Sequence, residues 1–206
     1  MGKIKVLVAD DHAIVRMGLV ALLKSEPDID VVGEADDGED AIRQTLKLAP
    51  DVVVMDLMMP GVDGIVATRE ILAKAPATRI LILTTSTVSD DLARALDAGA
   101  LGAINKSSEY GKLLAALYAV AQGETSVAPE ISRLIAEDPP VPDLSPRQEE
   151  IMRSLTRGLS NTDIALELGI SKESVKQYIA LLCEKIGAAN RTEAVAIALR
   201  KHLLKC

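Results

Sequence analysis

The sequence contains few of the residues on which several classes of protein depend. It has no tryptophan, no phenylalanine and three tyrosines, so it lacks the aromatic platforms on which single-stranded nucleic-acid binders stack bases. Its two cysteines, Cys183 and Cys206, and its two histidines, His12 and His202, are too few for a disulfide framework or a structural zinc site. We therefore expect oxygen ligands at any metal site.

Long hydrophobic runs are also absent. No apolar run approaches the roughly 18 residues of a membrane span, and the start MGKIKVLVADDH turns acidic before a signal-peptide core could form. These observations predict a cytoplasmic protein with no membrane partner. The 206 residues, 49% hydrophobic and 26% charged, are typical of a globular chain with enough material for two small domains.

The net charge of −7 is unevenly distributed along the chain. It is −7 over residues 1–125, −2 over residues 126–142 and +2 over residues 143–206. An acidic chain is a poor partner for nucleic acid unless the binding surface is segregated. The final segment is the only part that is even mildly basic, and its surplus fits an ordinary solvated surface as well as a DNA-binding one.

Short apolar runs alternate with amphipathic segments in the first 125 residues. The apolar runs cover residues 4–9, 29–35, 51–57, 79–85 and 100–106. Val52, Val53 and Val54 are apolar on both strand faces, as in a parallel sheet that helices cover on each side. The pattern predicts an α/β domain over residues 1–125, a flavodoxin-like, doubly wound (βα)5 fold whose working site lies beyond the carboxyl ends of the strands.

A proline-rich stretch, EDPPVPD at residues 137–143, separates this pattern from the rest of the chain. It predicts an interdomain linker over residues 126–142, with a short helix within residues 129–136. Residues 143–206 then predict an all-α domain of four helices. Caps precede these helices and glycines end them, at Ser145, Pro146, Gln148, Gly158, Ser160, Asp163, Gly169, Ser171 and Gly187.

The second and third of these helices form a helix-turn-helix, since Gly169 and Ile170 alone separate them before the cap Ser171. The third helix carries one stripe of apolar residues spaced 4, 3 and 4 apart: Val175, Ile179, Leu182 and Ile186. Its opposite face carries Lys172, Glu173, Lys176 and Gln177. Such a helix can enter the major groove of DNA, which is about 12 Å wide.

Five chemically suitable residues lie at the carboxyl ends of four of the predicted strands: Asp10, Asp11, Asp56, Thr84 and Lys106. The three carboxylates should converge on one sheet edge and repel each other, and a hard cation such as Mg²⁺ relieves that repulsion. The set supplies a carboxylate nucleophile, a metal site, a hydroxyl donor and a fixed ammonium group. These are the groups needed to accept a phosphoryl group and to bind its oxygens. His12, beside the acidic pair, is interpreted as a solvated residue at the start of the first helix.

The order of motifs resembles the two-component response regulators of the NarL/FixJ type, with a receiver domain and a LuxR-type helix-turn-helix. In the first half the resemblance rests on VLVADDH (6–12), MDLMMPGVDG (55–64), LTT (83–85) and ALDAGALGAINK (95–106). In the second half it rests on LSPRQEEI (144–151), GLSNTDIALELGIS (158–171), SVKQY (174–178) and NRTEAV (190–195). It covers nearly the whole chain.

The resemblance implies a role for each matching residue. Asp56 would be the phosphoacceptor; Asp11, Asp56 and the Met58 carbonyl would bind Mg²⁺, with Asp10 acting through water. Thr84 and Lys106 would contact the phosphoryl group. The DNA-facing residues would lie on the third output helix, at Lys172, Ser174, Val175, Lys176 and Gln177.

The resemblance also implies the partners and the domain division. The partners would be a sensor histidine kinase, double-stranded DNA and a second copy of the chain, with RNA polymerase as a further candidate. The domains would be a receiver at 1–125, a linker at 126–142 and a DNA-binding domain at 143–206. The protein would be a transcription regulator and not an enzyme.

The sequence departs from the family at several positions. Ala103 stands where receivers usually carry an aromatic switch residue, and Asn105 is polar in a strand that tends to be apolar. In the output domain Tyr178, preceded by Gln177, stands at a position that is often histidine. Ala103 leaves open an alternative, a DNA-binding regulator that is not phosphorylated and whose first domain serves for dimerisation. A second alternative, a haloacid-dehalogenase-like phosphohydrolase, requires an acidic residue two positions after Asp56, where this chain has Met58.

Overall fold

The computed structural model describes residues 2–85 and 88–204. Cys206 lies outside the described residues. The chain divides into two compact units, residues 1–138 and residues 139–206, and each is described by itself.

The first unit contains a parallel sheet, with strands β1 (Ile4–Ala9), β2 (Ile29–Ala35), β3 (Val52–Met55), β4 (Arg79–Thr84), β5 (Gly102–Asn105) and β6 (Ser126–Val127). Neighbouring strands follow the order β2-β1-β3-β4-β5-β6, and every pair is parallel. All carboxyl ends therefore meet at one edge. The five predicted strands are confirmed, and β6 is added to them.

Helices cover both faces of this sheet. They are α1 (Ala13–Lys24), α2 (Gly38–Leu48), α3 (Gly64–Lys74), α4 (Ser89–Asp97), α5 (Tyr110–Gln122) and α6 (Pro129–Glu137). Helices α1 and α5 pack with one set of buried strand residues, and α2, α3, α4 and α6 pack with the other. Because β3 lies between two covered faces, its valines are fully buried. The doubly wound prediction is confirmed.

The range 126–142, predicted as a linker, begins with regular structure. Strand β6 pairs with Gly102 and Ala103 of β5, and Ile131 of α6 is buried in the same core as Ala103. The compact unit accordingly ends at residue 138, where the prolines begin. Prolines stop regular structure at their own positions, so they do not mark residues 126–138 as linker. The helix predicted within 129–136 is confirmed as α6.

Gly64 lets the start of α3 approach the end of β3. A Cβ at this position would overlap the carbonyl oxygen of Asp56 and lie 2.9 Å from Cα of Leu57. The amide of Gly64 also donates a hydrogen bond to the carbonyl of Leu57, at 2.9 Å. Glycine is therefore required for the backbone that carries Asp56 to turn into α3.

We predict that Gly64→Ala lowers the free energy of unfolding by about 1–3 kcal/mol, because the added methyl group meets backbone that cannot move independently. Urea unfolding measures the change. Gly18→Ala is the matched control: a Cβ there meets nothing within 4 Å, and alanine inside a helix should stabilise by about 0.5–1 kcal/mol. Equal effects of the two substitutions would contradict the close approach at Gly64.

The second unit contains helices α7 (Pro146–Thr156), α8 (Asn161–Leu168), α9 (Lys172–Ile186) and α10 (Arg191–Arg200). The predicted capping boxes are present at Ser145 with Gln148 and at Ser160 with Asp163. Gly169 and Gly187 end α8 and α9 in the left-handed conformation, as expected for C-terminal glycines. The four-helix prediction is confirmed.

No helix in the described part of the chain combines the length and the apolar character needed to cross a membrane.

Candidate functional site

Carboxylates from two strand ends meet at the carboxyl edge of the sheet. Ala9 of β1 pairs with Met55 of β3, so the residues that follow these strands, Asp10 and Asp56, lie side by side. Both are nearly fully buried, with 1% and 3% of their surfaces exposed. One ligand atom from each of Asp10, Asp11, His12 and Asp56 can be chosen so that all lie within 4.8 Å of one another. The predicted convergence is therefore present.

Lys106 joins the acidic residues from the end of β5. Its Nζ donates a hydrogen bond to Oδ2 of Asp56 at 2.8 Å and lies 2.7 Å from Oδ2 of Asp10. The lysine side chain is 9% exposed. A buried ammonium between two buried carboxylates compensates part of their mutual repulsion. It also leaves a fixed positive charge beside any anionic group that joins Asp56.

Burial raises the pKa of Asp56 above its ordinary value. The loss of hydration and the neighbouring charge of Asp10 both favour the neutral acid, and together they outweigh the hydrogen bond and positive charge of Lys106 and the amide hydrogen bond from Met58. Burial lowers the pKa of Lys106, but its contacts with Asp10 and Asp56 outweigh burial, so the pKa of the lysine is raised. The ionised carboxylate of Asp56 thus costs the fold free energy, and a positive charge at the site would relieve that cost.

The stability of the fold should depend on pH through Asp56. Because the pKa of Asp56 is higher in the folded chain, the folded state holds this proton more tightly, and the free energy of unfolding falls as pH rises from the ordinary value through the raised pKa. Asp56→Asn removes this titration. Lys106 stays protonated throughout, because its own pKa is raised.

We therefore predict that Asp56→Asn gains stability relative to the wild type as pH rises above the ordinary pKa of an aspartate, about 4, and through the raised pKa of Asp56. Urea unfolding at several pH values measures the gain. A difference between the two proteins that stays constant with pH would contradict the assignment.

The acidic pocket has the donor chemistry for a divalent cation. Among the described residues, Oδ2 of Asp10 and Oδ1 of Asp11 are buried and accept no hydrogen bond of good geometry; the close contact of Asp10 with Lys106 is an ion pair. Opposite ligands of an octahedral Mg²⁺ are about 4.2 Å apart, which is close to the spread of the ligand atoms here. The residues present fit a single small cation.

Thr84 and Met58 lie at the same edge of the sheet. Thr84 ends β4, is 1% exposed, and its carbonyl accepts a hydrogen bond from the amide of Lys106 at 2.9 Å. Met58 supplies an amide hydrogen bond to Asp56, while its side chain extends outward and is half exposed. All of the predicted pocket residues therefore come from one edge of the sheet.

The two departures in β5 have different structural consequences. Ala103 is 1% exposed and lies in the core that includes α4 and α6. The side chain of Asn105 accepts hydrogen bonds from the amide and the hydroxyl of Ser107, at 2.8 and 2.6 Å. Asn105 thus shapes the turn that follows Lys106.

Two residues of α1 and its cap contact the acidic pair: His12, which was interpreted as solvated, and Arg16, which the sequence analysis did not name. Nδ1 of His12 lies 2.7 Å from Oδ1 of Asp11, and Arg16 donates a hydrogen bond to the carbonyl of Asp10 at 2.5 Å. The only available signal was their spacing after Asp10, since position 16 follows one helical turn after position 12.

A second candidate surface lies on α9, the second helix of the helix-turn-helix. Lys172, Lys176 and Gln177 are exposed. Ser174 is half-buried, and its hydroxyl lies 2.8 Å from that of the N-cap residue Ser171. These residues present polar and basic groups on one side of the helix.

The prediction that Val175 faces DNA is wrong. Val175 is fully buried, in a core with Ile151, Ile164 and Leu182, because it belongs to the apolar stripe that holds α9 against the unit. Its neighbour Tyr178 is half-buried and lies under the guanidinium group of Arg147, 6.0 Å from the ring centre.

Comparisons with known proteins match both parts of the chain. The response regulator receiver domain family matches residues 6–118, and the luxR family of bacterial regulatory proteins matches residues 142–198. The transcriptional regulatory protein LiaR of Bacillus subtilis (strain 168) is 36% identical over 209 residues, which cover 98% of this chain and 99% of that protein.

Solved structures of response regulators are similar over nearly the whole length. Response regulator ChrA of a heme-sensing two-component system is 39% identical, with a TM-score of 0.60, 99% of this chain covered and 100% of that chain. RcsB from Salmonella enterica serovar Typhimurium, bound to promoter P1flhDC in the presence of phosphomimetic BeF3⁻, is 29% identical, with a TM-score of 0.70, 98% of this chain covered and 100% of that chain.

Proposed function

The chain belongs to the two-component response regulators of the NarL/FixJ type, transcription regulators with a receiver domain and a LuxR-type DNA-binding domain, and from this premise we propose that Asp56 accepts the phosphoryl group. The observation that carries the proposal is the buried pair of Asp56 and Lys106, 2.8 Å apart beside Asp10. The receiver role falls to the first unit, residues 1–138, and the DNA-binding role to the second, residues 139–206.

The chemistry is the transfer of a phosphoryl group from a phosphohistidine of a sensor kinase. A carboxylate oxygen of Asp56 attacks phosphorus, the P–N bond breaks, and its electron pair leaves with the imidazole. The product is a mixed anhydride on Asp56. Lys106 then binds a phosphoryl oxygen, and the hydroxyl of Thr84 donates to another, since both groups end strands at the same edge.

Asp11, Asp56 and the carbonyl of Met58 would hold Mg²⁺, with Asp10 acting through water. The ion supplies positive charge that neutralises the carboxylates and the transferring phosphoryl oxygens. The buried Oδ1 of Asp11, to which no described residue donates a hydrogen bond of good geometry, supports this assignment. The raised pKa of Asp56 supports it as well, because a cation at the site would keep this carboxylate ionised and nucleophilic.

Met58, two positions after Asp56, suits a long-lived acyl phosphate on Asp56. A phosphohydrolase needs an acid or base there to activate water, and the half-exposed thioether of Met58 cannot serve. The anhydride should therefore outlast a catalytic intermediate. This argues against the phosphohydrolase alternative, and the family membership of the chain argues against it too.

The second unit would bind duplex DNA through α9. Lys172, Lys176 and Gln177 are exposed on this helix, whereas Val175 and Leu182 anchor its other side in the core. A small domain with a net charge of +2 contacts few phosphates and bases, so one copy binds weakly. Two copies on paired half-sites gain affinity because the first bound copy raises the effective concentration of the second. We therefore propose a homodimer on DNA, with RNA polymerase as a further partner and the cytoplasm as its location.

The test uses the full-length chain, Mg²⁺ and acetyl phosphate. Duplexes selected from a random pool by the phosphorylated and the untreated protein are sequenced, and dissociation constants are measured at one salt concentration. The expected result is a paired half-site that the phosphorylated protein binds more tightly. Identical affinities for the two forms would favour the alternative that Ala103 leaves open, a regulator that does not depend on phosphorylation.

A further inference from the structure

His12 brings a nitrogen atom to a pocket whose other candidate ligands are oxygens. Its Nδ1 lies 2.7 Å from Oδ1 of Asp11 and 3.5 Å from Oδ1 of Asp10. The backbone amide of His12 donates a hydrogen bond to Oδ1 of Asp10 at 2.9 Å. The backbone of His12, the residue that precedes α1, is therefore held beside the acidic pair, and its imidazole touches Asp11.

The contact between His12 and Asp11 resembles the spacing of two ligands of one ion. Oδ1 of Asp11 is buried, and none of the described residues donates a hydrogen bond of good geometry to it, although Nδ1 is 2.7 Å away. Adjacent ligands of an octahedral ion with bonds of about 2.1 Å are about 3 Å apart. A small shift would let both atoms bind the same cation.

We propose that His12 is a ligand of the divalent ion in the acidic pocket, and that it strengthens the binding of a divalent transition ion more than the binding of Mg²⁺. The inference rests on the proposed function, because it uses the metal site of Asp11 and Asp56. Imidazole suits borderline ions of the first transition row, whereas Mg²⁺ prefers oxygen ligands and retains its waters. The expectation of oxygen ligands alone is then replaced by a mixed nitrogen and oxygen set.

The chain offers a suitable variant and a matched control. His12 is 65% exposed and, although it is the N-cap residue of α1, its side chain makes no capping hydrogen bond. His12→Ala should therefore leave the fold intact, which circular dichroism checks. His202 is the other histidine of the sequence and follows α10 in the second unit, so His202→Ala removes an imidazole far from the acidic residues in sequence.

Pulsed electron paramagnetic resonance on the full-length chain loaded with Mn²⁺ detects nitrogen ligands directly. We expect coupling from one ¹⁴N nucleus in the wild type and in His202→Ala, and no such coupling in His12→Ala. Absence of the coupling in the wild type would overturn the inference. Its persistence in His12→Ala would overturn it as well, because another nitrogen would then be the ligand.

Calorimetric titrations with Mn²⁺ and Mg²⁺ give the effect on selectivity. His12→Ala should weaken Mn²⁺ binding by about tenfold or more and Mg²⁺ binding by less than about twofold, because water replaces the lost ligand on Mg²⁺ readily. Equal weakening of the two ions would show that His12 only orders Asp11, and would overturn the ligand role.

The same titrations separate this inference from the proposed function. Asp11→Asn should abolish binding of both ions if the acidic site is the metal site. Failure of both ions to bind the wild type would overturn the metal site and the inference together. Binding of both ions without nitrogen coupling would overturn the role of His12 and leave the proposed phosphoacceptor site standing.

Discussion

Asp56→Asn is expected to abolish phosphorylation of the chain. The asparagine amide has no carboxylate oxygen that could form a mixed anhydride, and Asp10, although it also contacts Lys106, follows β1 and is not the proposed phosphoacceptor. Intact mass spectrometry after incubation with Mg²⁺ and acetyl phosphate should show a species heavier by about 80 Da in the wild type and none in the variant.

Asp97→Asn is the matched control, because it makes the same chemical change at an exposed residue at the end of α4. It should accept phosphate like the wild type. Hydroxylamine, which cleaves acyl phosphates, should remove the added mass from the wild type. A heavier species in Asp56→Asn that resists hydroxylamine would place the phosphate on a hydroxyl group and contradict the assignment.

The group of acidic residues and Lys106 at the carboxyl edge of the sheet could be predicted because it follows from the strand topology. Residues directly after parallel strands converge wherever the strands neighbour each other, and the register of β1 with β3 brings Asp10 beside Asp56. Lys106 follows β5, which is two strands away from β3, yet its long side chain spans β4 and reaches both carboxylates. Strand order and side-chain length together determine this contact.

The contacts of His12 and Arg16 could not be predicted in the same way. Sequence patterns place residues on elements, and they treat an exposed residue at a helix start as solvated. His12 is indeed 65% exposed, but its ring edge touches Asp11. The direction of a single side chain depends on its rotamer and on the local turn, which hydropathy patterns do not encode.

Strand β6 escaped prediction for a related reason. Two residues, Ser126 and Val127, have no period that could distinguish a strand from a turn. Their pairing depends on the free edge of β5, a tertiary feature. The buried side chain of Ile131 then holds α6 against the same core, so the first unit extends to residue 138, immediately before Pro139.

The error at Val175 shows the limit of transferring a motif by position. The spacing of Val175, Ile179, Leu182 and Ile186 already places Val175 on the apolar stripe, and the structure buries it completely. A motif specifies which residues are near DNA along the chain, whereas helical periodicity specifies which of them point outward. The periodicity is the better guide where the two disagree.

Lys176→Ala is expected to weaken DNA binding strongly and leave phosphorylation of Asp56 unchanged. Lys176 is exposed and directly follows the buried Val175, so the packing of α9 turns it toward the solvent-facing side that we propose enters the major groove. Loss of a contact to a base or a phosphate costs about 1–3 kcal/mol per site, or about 5- to 150-fold in affinity. Fluorescence anisotropy with the selected duplex measures the change.

Arg200→Ala removes one positive charge from the same unit, at an exposed residue of α10, and is the matched control. If affinity depended only on the net charge of the unit, the two substitutions would weaken binding equally. A specific role for α9 requires a much larger loss of DNA affinity from Lys176→Ala than from Arg200→Ala. If Lys176 contacts a phosphate, the slope of log affinity against log salt concentration should also fall in magnitude by about one. Equal effects, or unchanged binding by Lys176→Ala, would mean that another surface of the second unit contacts DNA.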